Sequence, residues 1–180
     1  MKYQEIKGNL IAEALAGKFD VIVHGCNCFC IMGKGLAPQM VKTFECDKFF
    51  KEGPGYKGDI NKLGTIEFEV FLNDAKGHVE IANCDLNEFE AGDLVVVNAY
   101  TQYHPGANLD YEALTLCLKK MNHVFKGKHI GLPQIGCGIA GGVWENNINA
   151  MFPREELDVK TIIQQELKDC DVTIVMYKNS

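Results

Sequence analysis

At 180 residues the chain fits one compact domain, which excludes a second independent core. Its composition, 47% hydrophobic and 23% charged residues, is that of a globular protein that folds without help from a disulfide or a metal. With 18 Lys+Arg against 24 Asp+Glu, the net charge of -6 and the lack of a basic cluster argue against nucleic acid bound as a polyanion, whereas one small anion can still be held by backbone N–H groups.

Met1 to Leu10 lacks the basic-then-apolar order of a signal peptide, and no apolar run reaches the roughly 18 residues of a membrane span. A cytoplasmic protein with no membrane partner is expected, working as a monomer. In that compartment Cys26, Cys28, Cys30, Cys46, Cys84, Cys117, Cys137 and Cys170 are read as reduced thiols.

Tyr3 to Lys7 alternates like a half-exposed strand, and Gly8-Asn9 turns the chain into a short helical stretch, Leu10 to Leu15. Phe19 to His24 is a β-branched run of the kind that forms a buried strand. It leads into His24-Gly25-Cys26-Asn27-Cys28-Phe29-Cys30-Ile31-Met32-Gly33-Lys34-Gly35, after which Leu36, Met40, Val41 and Phe44 have helical spacing. Gly53 to Asp59 has the residues of a surface turn. Gly64 to Phe71 and Val79 to Cys84 read as strands joined through Asn73 to Gly77. Leu94 to Ala99 is another buried strand, followed by a polar loop around Tyr103-His104-Pro105-Gly106 and a helix from about Asp110 to Phe125. His129 to Pro133 leads into a second glycine-rich loop, Gly136 to Gly142; Asp158 to Leu167 is helical, and Val172 to Tyr177 forms a terminal strand.

Strands that are nearly continuous apolar runs, alternating with helices, predict an α/β fold whose mixed sheet carries helices on both faces. In such sheets ligands gather beyond the carboxyl ends of the strands, and both glycine-rich loops begin there. Gly136-x-Gly138-x-x-Gly141 fits a phosphate-wrapping loop, where glycine lets the backbone approach closely, and equally a purely structural turn. Its late position in the chain argues against an ordinary NAD oxidoreductase. In the first loop His24, Asn27 and the Gly33-Lys34-Gly35 turn combine a titratable group, an amide and an accessible backbone. Singly, His24 reads as a structural histidine and Asn27 as a turn former; together at a strand end they favour a site. Cys26, Cys28 and Cys30 with His24 make a poor zinc site, because structural zinc sites usually show C-x2–4-C pairs and these residues follow one another at every second position. No metal or cofactor is expected. Cys137 lacks an adjacent base and reads as a small loop residue rather than a nucleophile.

From Tyr3 to Tyr177 the order of these pieces resembles the macrodomain family. The motifs that carry the resemblance are Gly8-Asn9-Leu10, His24-Gly25-Cys26-Asn27-Cys28, Met32-Gly33-Lys34-Gly35-Leu36-Ala37, Val97-Asn98-Ala99-Tyr100, Leu132-Pro133-Gln134-Ile135 running into Gly136 to Gly142, Trp144 and the closing strand. The resemblance implies one three-layer α/β/α domain over the whole chain, binding ADP-ribose or ADP-ribose-1''-phosphate. It is strongest to the branch of the ADP-ribose-1''-phosphate phosphatases and the terminal ADP-ribose protein glycohydrolase. It implies that Asn9, with Leu10 beside it, stands where an aspartate contacts adenine. Asn27 and Gly33, Lys34 and Gly35 would then lie at the distal ribose, Gly136, Cys137, Gly138, Ile139, Ala140 and Gly141 around the phosphates, and Tyr177 at the adenine end. His24 matches the reacting histidine of the phosphatase branch, where a near-neutral imidazole suits a base or a nucleophile. Ala140 occupies the place of the glycohydrolase aspartate, which disfavours that route. The expected activity is hydrolysis of the terminal phosphate of ADP-ribose-1''-phosphate. A non-catalytic ADP-ribose reader and a hydrolase removing ADP-ribose from protein or nucleic acid are the alternatives.

Overall fold

Strands that are apolar on both faces need a cover on each, and the order of elements supplies it. The computed structural model describes residues 2–49, 57–73, 79–82, 89–152 and 154–177. Seven strands, β1 (Tyr3–Gly8), β2 (Val21–Asn27), β3 (Ile66–Asn73), β4 (Val79–Ala82), β5 (Leu94–Gln102), β6 (His129–Leu132) and β7 (Asp171–Tyr177), form one sheet in the order β1-β7-β6-β2-β5-β3-β4. The first five in that order run parallel, and β3 pairs antiparallel with both β5 and β4, so the sheet is mixed, as the sequence predicts.

Alternation along the strands divides the core into two. Val21, Val23, Val95 and Val97 pack with Leu114, Leu118 and Met121 of α3 (Tyr111–Val124) and with Ile162 and Ile163 of α4 (Val159–Glu166). Their neighbours Ile22 and Val96 face the other way, onto Leu10 and Ile11 of α1 (Leu10–Leu15) and Met40 and Phe44 of α2 (Ala37–Phe44). The result is the three-layer arrangement. Each of these side chains, fully buried, contributes about 1.5–3 kcal/mol of apolar transfer free energy.

Element boundaries move for identifiable reasons. Asp110 and Asp158, predicted as first helical residues, are N-caps whose carboxylates accept from Ala113 N at 2.9 Å and Thr161 N at 2.7 Å. β2 continues past His24 to Asn27 and β5 past Ala99 to Gln102, because the parallel ladder Val21↔Val95 runs in register to Cys26↔Tyr100 and resumes at Asn27↔Gln102 after a bulge. Backbone pairing thereby carries polar residues into the sheet that side-chain hydropathy alone would leave in a loop. Asn83 and Cys84 of the predicted fourth strand, Gly53 to Tyr56 of the predicted turn and Asp74 to Gly77 of the predicted connection lie outside the described residues.

In the cysteine-rich segment Cys26, Cys28 and Cys30 are all buried in one cluster with Tyr100. The strand ends at Asn27, a turn closes through the Cys30 N–H donating to Asn27 O, and Cys30 takes a left-handed φ of 55°, so the turn rather than the strand places Cys28 and Cys30 there. Burial pushes these thiols up, Cys28 to about 11. Among the described residues no helix is long and apolar enough to cross a membrane.

Candidate functional site

The parallel strands β2, β5 and β6 all deliver their carboxyl ends to one side of the sheet, and there a cavity of about 640 Å³ opens. Gly8 at the end of β1 and Leu10 just after it, with Val175 and Tyr177 at the end of β7, extend it across the sheet. The first glycine-rich loop contributes Lys34, Gly35, Leu36 and Ala37, and the second contributes Gly136, Cys137, Gly138, Ile139 and Ala140. The loops approach each other over the cavity: Ile139 Cδ1 lies 3.5 Å from where a Cβ on Gly35 would stand.

The backbone of both loops is open to a ligand. The N–H groups of Gly35, Leu36 and Ala37 on one side, and of Gly138, Ile139 and Ala140 on the other, donate to no oxygen among the described residues. α2 starts at the first of these runs with no side-chain cap and with Pro38 in its first turn, so its N-terminal amides and the positive end of its dipole lie on the cavity wall. Among the described residues Lys34 is the one formally charged group on that wall, and no aspartate or glutamate lines the cavity. An extended anion carrying several oxygens suits such a lining, since N–H donors and one ammonium meet it from both sides without an opposing carboxylate.

His24, on β2, lines the cavity but is only 2% exposed. Its Nε2 lies 2.6 Å from Oδ1 of the fully buried Asn98 on β5, with Cys26 Sγ 3.5 Å away. Burial lowers its pKa to about 4, outweighing the hydrogen bond to Asn98, which acts the other way. The near-neutral imidazole expected from the sequence is therefore not what the fold provides. His24 is neutral at pH 7, and its Nδ1 is buried without a hydrogen-bond partner among the described residues.

Two other expected ligand contacts have structural work to do. Asn9 is not on the cavity wall; its Oδ1 caps α1 by accepting from Ala12 N at 3.0 Å. Asn27 does line the cavity, yet its Oδ1 accepts from Phe29 N and Ile31 N and its Nδ2 donates to Ile31 O at 2.9 Å, which shapes the loop. Gly33 and Gly141 are exposed and do not line the cavity, and Tyr177 sits on its rim, 68% exposed. Cys137 has a thiol pushed up to about 11 by burial, with Sγ 3.5 Å from Ile135 O, in keeping with a loop residue rather than a nucleophile.

The structure adds residues that motif reading passed over: Gln39, Thr101, Gln102 and Gln134 line the cavity, and Asn98 stands behind His24. The signal for Asn98 was available, since a lone polar residue in the apolar run Leu94 to Ala99 must find a partner indoors. Thr101 and Gln102 carried no such mark.

No family model matches the sequence. An uncharacterized 17.5 kDa protein from the tk–vs intergenic region of enterobacteria phage T4 is 35% identical over 149 residues, covering 78% of this chain and 81% of the phage protein. The chain belongs to the family of that phage protein. A protein of unknown function from Bacteroides thetaiotaomicron superposes with a TM-score of 0.65 at 25% identity, covering 98% of each chain. A macrodomain protein from Streptomyces coelicolor superposes with a TM-score of 0.58 at 19% identity over 99% of this chain and 100% of its own. The DarTG protein of Thermosipho africanus, solved in complex with ADP-ribose, gives a TM-score of 0.60 at 14% identity, matching 98% of this chain and 42% of DarTG. These likenesses identify the fold. It is the macrodomain fold.

Proposed function

We propose that this macrodomain binds ADP-ribose and its phosphorylated or conjugated derivatives in the cleft between its two glycine-rich loops, and that it hydrolyses the terminal phosphate of ADP-ribose-1''-phosphate. The observation that carries the binding reading is the pair of amide runs unpaired among the described residues, Gly35 to Ala37 and Gly138 to Ala140, facing one cavity whose described lining holds Lys34 and no carboxylate. A diphosphate offers oxygens to both runs at once, and each amide gains a charge-assisted hydrogen bond that water would otherwise supply. The DarTG neighbour held ADP-ribose, which supports the choice among diphosphates.

His24 supplies the chemistry in this reading. Its Nδ1 is a neutral acceptor for the proton of a water attacking the phosphate, while the free amides take up charge on the phosphate oxygens. A base with a pKa of about 4 abstracts a proton weakly, so slow turnover is expected. A second reading, a reader that binds ADP-ribose without chemistry, is favoured by the cavity's having no lining carboxylate among the described residues, with Ala140 on its wall.

Calorimetry with ADP-ribose tests the binding, and release of phosphate from ADP-ribose-1''-phosphate by the parent and by His24→Ala tests the reaction. Binding in both proteins with turnover in the parent alone supports the phosphatase. Binding without phosphate release gives the reader first place, and no binding of ADP-ribose overturns the proposal as a whole.

A further inference from the structure

Asn98 is buried at 0% exposure inside a strand of valines, where an unpartnered amide is costly. It is held at both ends. Its Nδ2 donates to Cys46 O at 2.8 Å, directly after α2, and its Oδ1 lies 2.6 Å from His24 Nε2. The carbonyl of Cys46 can only accept, so the orientation of the amide is fixed: nitrogen toward Cys46, oxygen toward the imidazole. An amide oxygen likewise only accepts, so the proton of a neutral His24 must sit on Nε2. That leaves Nδ1 as a bare lone pair, and it is this atom that is buried, without a partner, in a side chain lining the cavity.

From this chain of contacts we infer that Asn98 is a positioning residue, which locks His24 in its Nε2–H tautomer and so keeps Nδ1 available as an acceptor for a hydroxyl or water brought into the cleft. The inference rests on the ligand reading above for what meets Nδ1, but the tautomer is a property of the free protein. Titratable neighbours do not compete for the proton. Cys26 on β2, 3.5 Å from Nε2, and Cys46 beyond α2 are thiols pushed up by burial, Cys46 to about 12, and among the described residues no charged group is set against the ring. The nearest donor that could reverse the tautomer would have to replace the Asn98 oxygen.

The decisive measurement is a long-range nitrogen–proton correlation spectrum of protein labelled at histidine, recorded from pH 8 to 5 on the parent, Asn98→Asp and Asn98→Leu. The parent is expected to show His24 protonated at Nε2 and bare at Nδ1 throughout. In Asn98→Asp the carboxylate favours the imidazolium, so the His24 midpoint should rise by about 1–3 pH units. ADP-ribose affinity of that variant, compared with its own value at pH 8, should then fall at least tenfold as pH drops through the new midpoint, because a protonated Nδ1 no longer accepts. Asn98→Leu, checked as folded by its dispersed spectrum, should populate both tautomers. A parent His24 carrying its proton on Nδ1, or titrating at the same pH in parent and Asn98→Asp, overturns the inference. If the tautomer and midpoint behave as expected but the parent takes up no ADP-ribose, Asn98 keeps its positioning role and the ligand reading fails instead.

Discussion

The two glycine-rich loops enclose one cavity, yet their glycines are there for different reasons. In the second loop a Cβ on Gly142 would stand 2.4 Å from Leu109 Cδ2 and 2.5 Å from Gly136 O, the oxygen that accepts from Gly142 N itself at 2.7 Å. In the first, Gly33 has nothing within 4 Å, and Gly35 is constrained only by its left-handed φ of 66°. The second loop is thus fixed by packing against the segment before α3. The first is shaped by local hydrogen bonds of Asn27 and ends in an uncapped helix. One wall of the cleft is built into the core, whereas the other has its start tied down by Asn27 and its end left open.

If that contrast holds, Gly142→Ala should be the most damaging change, since the offending atom is backbone and cannot rotate away. We expect a loss of about 3 kcal/mol and a fall in Tm of roughly 6–12 °C, read by thermal denaturation. A mild effect there would break the distinction at its root.

The base of the first loop makes its own contribution through His24. Its pKa in the unfolded chain is the ordinary 6.5 and in the folded protein about 4, so below pH 6.5 the unfolded state binds a proton that the folded state refuses. Stability should therefore fall as pH drops from 6.5 toward 4, by up to roughly 3 kcal/mol, and be unaffected by this group above that window. Urea denaturation across the range, with His24→Gln as the non-titrating reference, should show the slope in the parent and its loss in the variant.

Gly35→Ala sharpens the comparison from the open side. Forcing alanine to a left-handed φ costs about 1–2 kcal/mol, less than the clash at Gly142, but because the residue lines the cavity ADP-ribose affinity should drop about tenfold. Gly33→Ala is the matched control, with stability within about 0.5 kcal/mol of the parent. Smallest of all, Lys34→Ala should weaken ADP-ribose binding by roughly threefold at low salt and less at high salt, since the ammonium is exposed and screened while the amides do most of the holding. A larger, salt-sensitive loss at Lys34 would transfer the main role from backbone to side-chain charge.

The sequence by itself determined the order of strands and helices, the mixed three-layer architecture and the two loops that border the cavity. Those features are written in local signals: β-branched runs, helical spacing, Asp110 and Asp158 ahead of their helices, and glycines at strand ends. Only the tertiary structure decided what each polar side chain does. The side-chain oxygens of Asn9 and Asn27, residues expected at a ligand, accept from Ala12 N and from Phe29 N and Ile31 N. His24 looks like a group poised near neutrality until β5 brings Asn98 against it and the sheet removes it from water. A hydrogen bond or a desolvation depends on atoms contributed by elements distant in the chain, and residue spacing carries no information about them.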